Sequence, residues 1–410
     1  MTKVALAFSG GLDTTVCVPL LKEEYGHDEV LAVTVDVGQP EAEFAEARET
    51  ADALGLDIHV VDATEAFASL CFDSVRANAT YQGYPLGTAL ARPVIAEAIL
   101  EVAEAENCDA IAHGCTGKGN DQLRFETVWR GSDLDVIAPV RELGLTREWE
   151  VEYAAERDLP VEAGNEGTWS IDTNLWSRSV EGGDLEDPSH VPSEEIYEWT
   201  DTPSGGEALV EIEFEAGYPV ALNGDELDPV DLIEELNGLA GAHGVGRTDM
   251  LEDRMLGLKV RENYEHPAAT VLLTAHEALE QLVFTKTERE FKPQIDQQWA
   301  EQAYRGLVFS PLTESLNGYL DASQATVTGT VTVKLQGGHV RPVARDSAYG
   351  VYSENAASFN TETVDGIEQA DATGVAKYHG FQERLATDVA EKAATEADQE
   401  KATLSTDGGA

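Results

Sequence analysis

The sequence predicts an α/β protein: an open parallel sheet in its first part, an α+β second part, and a helix near the C-terminus. Three observations carry this. Short apolar runs alternate with helical spacing over the first 140 residues. After about Asn165 the strands alternate apolar with acidic residues and close on turn signals. From about Val375 the chain reads as helix and then as a polar tail, with Thr403 to Ala410 expected to fray.

Val4 to Phe8 reads as a buried strand, and Asp13 to Tyr25 as a helix bent at Pro19. Val30 to Val37 is a second strand, Glu41 to Leu54 a helix, and Ile58 to Val61 a third strand. Ala89 to Ala105 is a long Ala-rich helix, and Ala110 to His113 a fourth strand that runs into a Gly-rich loop and another helix. Strands separated by helices imply parallel pairing, with ligands outside the carboxyl ends of the strands. In the second part Leu209 to Phe214 alternates, and Asn223-Gly224 is a hairpin turn signal. Ala325 to Leu335 reads as a strand closed by Gly337-Gly338 and followed by His339 to Ala344. Helices are expected over Pro229 to Leu239 and Thr274 to Phe284. The expected divisions are 1–165, 166–365 and 366–410.

Charge is the unusual feature of the composition. There are 77 Asp plus Glu against 27 Lys plus Arg, a formal net charge of -50. Residues 381–410 hold seven acids and three bases, so the tail accounts for only -4 of this and the excess is spread along the folded part. Such a surface repels itself at low salt and is screened at high salt, where the Debye length falls to about 3 Å at 1 M. A high-salt cytoplasm, as in halophiles, is the implied setting. The same charge argues against nucleic acid as a partner, since phosphate backbones call for clustered Lys and Arg. Cys17, Cys71, Cys108 and Cys115 show no CxxC spacing and read as free thiols in a reducing compartment. With no apolar run near 18 residues, no membrane partner and a cytoplasmic location are expected.

Between the first strand and the first helix lies Phe8-Ser9-Gly10-Gly11-Leu12-Asp13-Thr14-Thr15. Adjacent glycines allow a tight turn that brings bare N–H groups to an anion, and the helix behind points its positive end at the same place. Ser9, Thr14 and Thr15 add hydroxyls. The loop is neither a Walker A loop nor a dinucleotide loop, because GxxxxGK[ST] and GxGxxG are both absent from it. The plain alternative is a Gly-rich turn with Asp13 or Thr14 as helix N-cap.

The loop resembles the SGGxD[ST] element of the ATP-pyrophosphatase superfamily, in which it holds departing pyrophosphate. A second run sharpens the resemblance: His113-Gly114-Cys115-Thr116-Gly117-Lys118-Gly119-Asn120-Asp121-Gln122-Leu123-Arg124-Phe125-Glu126. Read plainly, Asp121 and Arg124 are an i,i+3 surface pair with Asn120 as N-cap. The run nevertheless is similar to the HGxTGKGNDQxRFE stretch of argininosuccinate synthases. Further matches are Tyr84-Pro85-Leu86-Gly87-Thr88-Ala89-Leu90-Ala91-Arg92-Pro93, Ser170-Ile171-Asp172-Thr173-Asn174-Leu175 and Gly244-Val245-Gly246-Arg247. The resemblance covers about residues 1–365.

The resemblance implies a nucleotide α-hydrolase-like (PP-loop) domain followed by a synthetase domain. It implies ATP contacts at Ala7, Phe8, Ser9, Gly10, Gly11, Leu12, Asp13, Thr14, Thr15, Val35 and Gly114. It implies aspartate contacts at Thr116, Asn120 and Asp121, and citrulline contacts at Tyr84, Asn120, Arg124, Ser170, Ser179, Glu252 and Tyr264. Asp13, Asn120 and Asp121 are the expected catalytic residues. Asp13 is expected either to organise Mg²⁺ or merely to cap its helix. Without the resemblance Tyr84 reads as a half-buried aromatic, the serines as surface residues, and Glu252 as a solvated helix charge. The implied reaction joins citrulline to aspartate with cleavage of ATP to AMP and pyrophosphate, in a homotetramer. Phe8, Thr15 and Ala89 depart from the commoner Tyr, Ser and Ser of the family, and none of the departures removes a charge.

Overall fold

A computed structural model describes residues 2–161, 169–202, 206–360 and 363–406. The first strands and helices follow the sequence reading closely: β1 (Lys3–Ala7), α1 (Leu12–Glu23), β2 (Glu29–Asp36), α2 (Glu41–Leu54) and β3 (Ile58–Asp62). The helix α3 (Thr64–Arg76) was not anticipated; its apolar face, including Phe67, Phe72 and Val75, is buried. A small hairpin of β4 (Thr80–Tyr81) and β5 (Tyr84–Pro85) leads into α4 (Thr88–Ala105) and β6 (Ala110–Ala112). Then come α5 (Asp121–Trp129), the unanticipated β7 (Asp135–Ile137), α6 (Pro139–Glu142) and α7 (Arg147–Glu156).

The five strands β3-β2-β1-β6-β7 pair in that order, all parallel. Val4, Ala5 and Leu6 of the central strand are fully buried, as expected for a strand covered on both faces. The order reverses beside β1, whose carboxyl end carries the glycine loop, and this is the switch point at which open α/β sheets bind ligands.

The expected boundary at residue 165 lies outside the described residues. Beyond it, β8 (Ser170–Thr173) and β9 (Arg178–Glu181) form a hairpin, followed by two single 3₁₀ turns and then β10 (Glu207–Glu215), β11 (Tyr218–Leu222) and β12 (Asp225–Glu226). The turn at Asn223-Gly224 has φ of 53° and 89°, which suits this pair of residues. Next are α8 (Pro229–Gly241), β13 (Arg247–Asp253), β14 (Lys259–Glu265), α9 (Pro267–Val283), α10 (Lys286–Tyr304), α11 (Pro311–Gln324), β15 (Gly329–Gln336) and β16 (His339–Asp346). Two sheets result, β12-β11-β10-β15-β16 and β13-β14-β9-β8, and their strands pair antiparallel.

Three sequence expectations need correction here. The helix expected from Thr274 starts seven residues earlier, because Pro267 occupies its first turn and Ala268, Ala269, Val271 and Leu272 are buried. The strand expected from Ala325 starts at Gly329, because α11 runs to Gln324, whose buried amide bonds to Glu280 and His276. Glu252 lies on a strand and not on a helix.

The described chain forms two compact units, Met1–Val351 and Tyr352–Ala410. In the second unit, after several short elements, α12 (Phe381–Thr406) extends into the stretch expected to fray. Residues 407–410 lie outside the described residues. The main core is continuous through the first unit, from Leu31 and Ile111 to Trp176, Phe214, Leu272 and Trp299. No helix among the described residues is long and apolar enough to cross a membrane.

Candidate active site

The glycine loop follows β1 as expected, but its details differ from the plain reading. Gly11, not Asp13 or Thr14, is the N-cap of α1, and no side chain caps it. Gly10 has φ +80°, and a Cβ there would stand 2.9 Å from the Cα of Ala47 on α2. The loop therefore lies directly on a neighbouring helix, an approach only glycine permits. Ser9 Oγ and Thr14 Oγ1 are 3.2 Å apart, and Thr14 Oγ1 donates to the Gly11 carbonyl. Thr15 is fully buried and donates to the Gly10 carbonyl, so it braces the loop from beneath. Gly114 lies against the loop from β6: a Cβ would meet Asp13 and Thr14 atoms at 3.2 Å.

A cavity of about 990 Å³ opens at this edge of the sheet. Ala7, Phe8, Ser9, Gly11, Leu12, Asp13, Thr14, Val35 and Gly114, nine of the eleven residues for which the resemblance implies ATP contacts, line it, and so do Asp121 and Ser170. Gly10 and Thr15 support the loop from behind. Thr116 is exposed on the following loop and is not part of the lining.

The cavity wall also holds a chain of charges that joins the expected residue Asp121 to Arg92 and Asp172, to which the resemblance assigned no role. Arg92 on α4 donates through Nε to Asp121 at 2.8 Å and through Nη2 to Asp172 at 2.7 Å. Thr88 Oγ1 donates to the other Asp172 oxygen at 2.7 Å. Asp121 also accepts from Arg124 at 3.0 Å, and Arg124 is only 5% exposed. Arg124 is thus interior, contrary to the surface reading, while Asp121 is partly exposed and lines the cavity. Burial of Asp121 works to raise its pKa but is outweighed by Arg92 and Arg124, so the carboxylate is held below its usual range. Glu43 lines the same cavity from α2, and burial, with Asp172 and Glu46 nearby, pushes it up to about 7 against the pull of Arg92. Glu150 is pushed up to about 8 by burial and by Asp13 beside it. Asp13 faces Arg147 at 3.5 Å. The motif residues Arg92 and Asp172 carried a signal; their pairing did not, because it depends on the docking of β8 against α4.

The remaining expected residues form a second cluster. Asn120, the N-cap of α5, makes no capping bond; its amide bonds elsewhere. Tyr84 and Tyr264 both donate to Glu252 Oε2, at 2.6 and 2.9 Å, and their rings stack at 4.5 Å. Burial raises both phenols well above their ordinary range, which keeps them as donors. Glu252 is 3% exposed, which overturns its reading as a solvated charge. Sheet register explains the grouping. Ser179 pairs with Asp172 on one side and with Tyr264 on the other. Residues directly opposite in antiparallel strands share a face, and Ser170 lies two residues from Asp172. One face of the four-stranded sheet thus gathers Ser170, Asp172, Ser179, Tyr264 and Glu252.

His113 anchors the connecting loop. Its Nδ1 accepts from the Cys115 amide at 3.1 Å, so its proton sits on Nε2 and faces Glu126 at 3.3 Å. That hydrogen bond, with burial opposing and Arg130 and Arg141 assisting, pulls Glu126 down to about 2. Cys17, Cys71 and Cys108 are buried free thiols, and Cys115 is partly exposed at the cavity.

Residues 3–160 match the model of the arginosuccinate synthase N-terminal HUP domain, and residues 169–386 match that of the arginosuccinate synthase C-terminal domain. The chain belongs to the argininosuccinate synthase family. It is 75% identical over 383 residues to an argininosuccinate synthase of Halobacterium salinarum, covering 93% of this chain and 97% of that one. It is 72% identical to that of Haloarcula marismortui, over 95% and 93% of the two chains. Against that of Methanococcoides burtonii it is 56% identical, over 93% and 97%. The similarity to haloarchaeal enzymes agrees with the acidic surface.

Proposed function

We propose that the cavity between the glycine loop and the Arg92–Asp121–Asp172 chain is where this ligase assembles its three substrates. The activity is that of the family: ATP, L-citrulline and L-aspartate become argininosuccinate, AMP and pyrophosphate through a citrullyl-AMP intermediate. One observation carries the assignment of the site. A single cavity has an anion-binding loop on one wall and a paired, ionised carboxylate, Asp121, on the other.

The chemistry follows from substrates with a poor leaving group. The citrulline ureido oxygen attacks the α-phosphorus, and the bond to the β-phosphate oxygen breaks. Pyrophosphate then leaves over the Ser9–Gly11 amides and the Thr14 hydroxyl, where the N-terminus of α1 favours negative charge. The aspartate amine next attacks the activated carbon, and AMP departs with the C–O electron pair. Asp121 receives the aspartate ammonium together with Thr116 and Asn120. Citrulline is held by Arg124, by Tyr84 and Tyr264 around Glu252, and by Ser170, Ser179 and Asn120. No side chain forms a bond to substrate, so rate comes from positioning and charge stabilisation.

Magnesium fits this reading as an ion that travels with ATP. No group of three His, Cys, Asp or Glu among the described residues could hold a metal by itself, and Mg²⁺ commonly binds through one or two carboxylates and substrate phosphates. Asp13 would supply the carboxylate, and the ion would neutralise charge on the departing diphosphate. Residues 1–165 then serve as the nucleotide domain, 166–365 as the synthetase domain, and 366–410 as the segment that joins copies into a homotetramer.

The deciding experiment measures AMP at ~0.1 M and molar KCl with each amino acid omitted in turn. AMP formation that requires both citrulline and aspartate, and that rises with salt as self-repulsion is screened, is the expected result. AMP formed without aspartate or without citrulline would count against the site assignment.

A further inference from the structure

Tyr304 ends α10 and belongs to none of the motifs above, yet it touches three of the residues assigned to the substrates. It is 2% exposed. Its hydroxyl donates to Glu252 Oε1 at 2.5 Å, while Tyr84 and Tyr264 occupy the other oxygen. A phenol has one proton to give. Having given it to Glu252, the Tyr304 oxygen can only accept, and Asn120 Nδ2 donates to it at 2.9 Å. The Asn120 carbonyl oxygen accepts from the Met255 amide at 3.1 Å. Both ends of the Asn120 amide are therefore fixed by the protein, leaving one N–H and one carbonyl lone pair for ligands.

The same turn also holds Arg124. Its Nε donates to the Tyr304 carbonyl at 3.1 Å. Two residues on, Gly306 has φ +75°, and a Cβ there would stand 2.9 Å from the Arg124 Cα. Backbone at that distance has no room for a side chain, so the turn lies flat against α5. The Tyr304 ring stacks on Tyr81 with centroids 3.6 Å apart, which holds the phenol in place independently of its hydroxyl.

We propose that the turn Tyr304–Gly306 is a positioning element of the substrate site, in which the Tyr304 hydroxyl sets the orientation of the Asn120 amide and ties it to Glu252. The inference rests on the reading of Asn120, Arg124 and Glu252 as substrate contacts. Its consequence is a coupling: one hydroxyl holds the aspartate side of the site, through Asn120, in register with the citrulline side, through Glu252. Tyr304 contacts the substrates only through these residues.

The test is Tyr304→Phe in the full chain, which removes one oxygen and leaves the ring stack. The expected result is a KM about tenfold higher for both citrulline and aspartate, the scale of one lost buried hydrogen bond. KM for ATP stays within about twofold. A double-mutant cycle with Asn120→Ala should show combined losses well below the product of the single losses, because both changes break one bond. Losses that multiply, or amino-acid KM values that do not move, overturn the role of Tyr304. Asn120→Ala and Glu252→Ala measured alongside separate the two possible failures. If they also leave both KM values unchanged, the substrate-contact reading itself falls; if they raise them and Tyr304→Phe does not, only the coupling falls.

Discussion

The glycine loop and the Glu252 cluster, which the proposed function joins in one site, are built in opposite ways. The loop is made from consecutive residues, exposes Ser9 and Gly11, and lines a large cavity. The cluster draws Tyr84, Asn120, Glu252, Tyr264 and Tyr304 from five elements, buries them, and saturates the carboxylate with phenol donors. A triphosphate brings its own charge and needs only donors at the right places. A neutral ureido group and two amino-acid ends must be told apart by pre-set hydrogen bonds, and buried polar groups that are fully paired specify one geometry. Affinity for phosphate can thus be local, whereas discrimination among amino acids is an assembled property.

The comparison can be broken most severely at the loop. Gly10→Ala forces a side chain into the backbone of Ala47 at a positive φ, so the loop must shift. AMP formation should fall by about 10²-fold or more, the scale of a misplacement near 1 Å, with tyrosine packing unaffected; an active Gly10→Ala enzyme would remove the loop from the chemistry. On the other wall, Asp121→Ala should impair aspartate use by roughly 10-fold to 100-fold while leaving KM for ATP nearly unchanged, and Arg124→Ala should act chiefly on citrulline. Equal losses toward all three substrates in steady-state kinetics would show that the two regions are not functionally separate.

The smallest expected effect concerns the bridge between them. Glu126 is held down to about 2 by His113, Arg130 and Arg141 against an ordinary value of 4.5. A lowered carboxylate pKa gives stability that is full above the unfolded value and is lost as pH falls through the folded one. The melting temperature of the wild type should therefore exceed that of Glu126→Gln by a constant margin above about pH 5. That margin should shrink as the pH drops from 4.5 toward 2. A pH-independent margin would mean that the bridge is held by packing alone.

Much of the parallel-sheet half was legible because its elements are short and locally punctuated. The helix Glu41–Leu54 carries its own spacing and stop signal, Gly55 in the left-handed conformation. Helix α3 was legible too, though not anticipated: Phe67, Ala68, Cys71, Phe72 and Val75 recur at helical spacing along its buried face. In the second half Glu252 was misread when taken alone, since a lone acid carries no sign of whether phenols will surround it. Arg92 and Asp172 were visible as motif residues, but their partnership across 80 positions was not.

What the sequence determined by itself was the reaction class, the glycine loop, the acidic composition and most of the order of strands and helices in the parallel-sheet half. These depend on spacing, composition and residues adjacent in the chain. Only the tertiary structure decided that Tyr304 joins Asn120 to Glu252, that Arg92 bridges two aspartates, and that four antiparallel strands bring Ser170, Ser179, Tyr264 and Glu252 to one face. Hydrogen bonds between residues far apart in sequence depend on register and docking, and a shift of one residue in a strand would turn every one of these side chains to the other face.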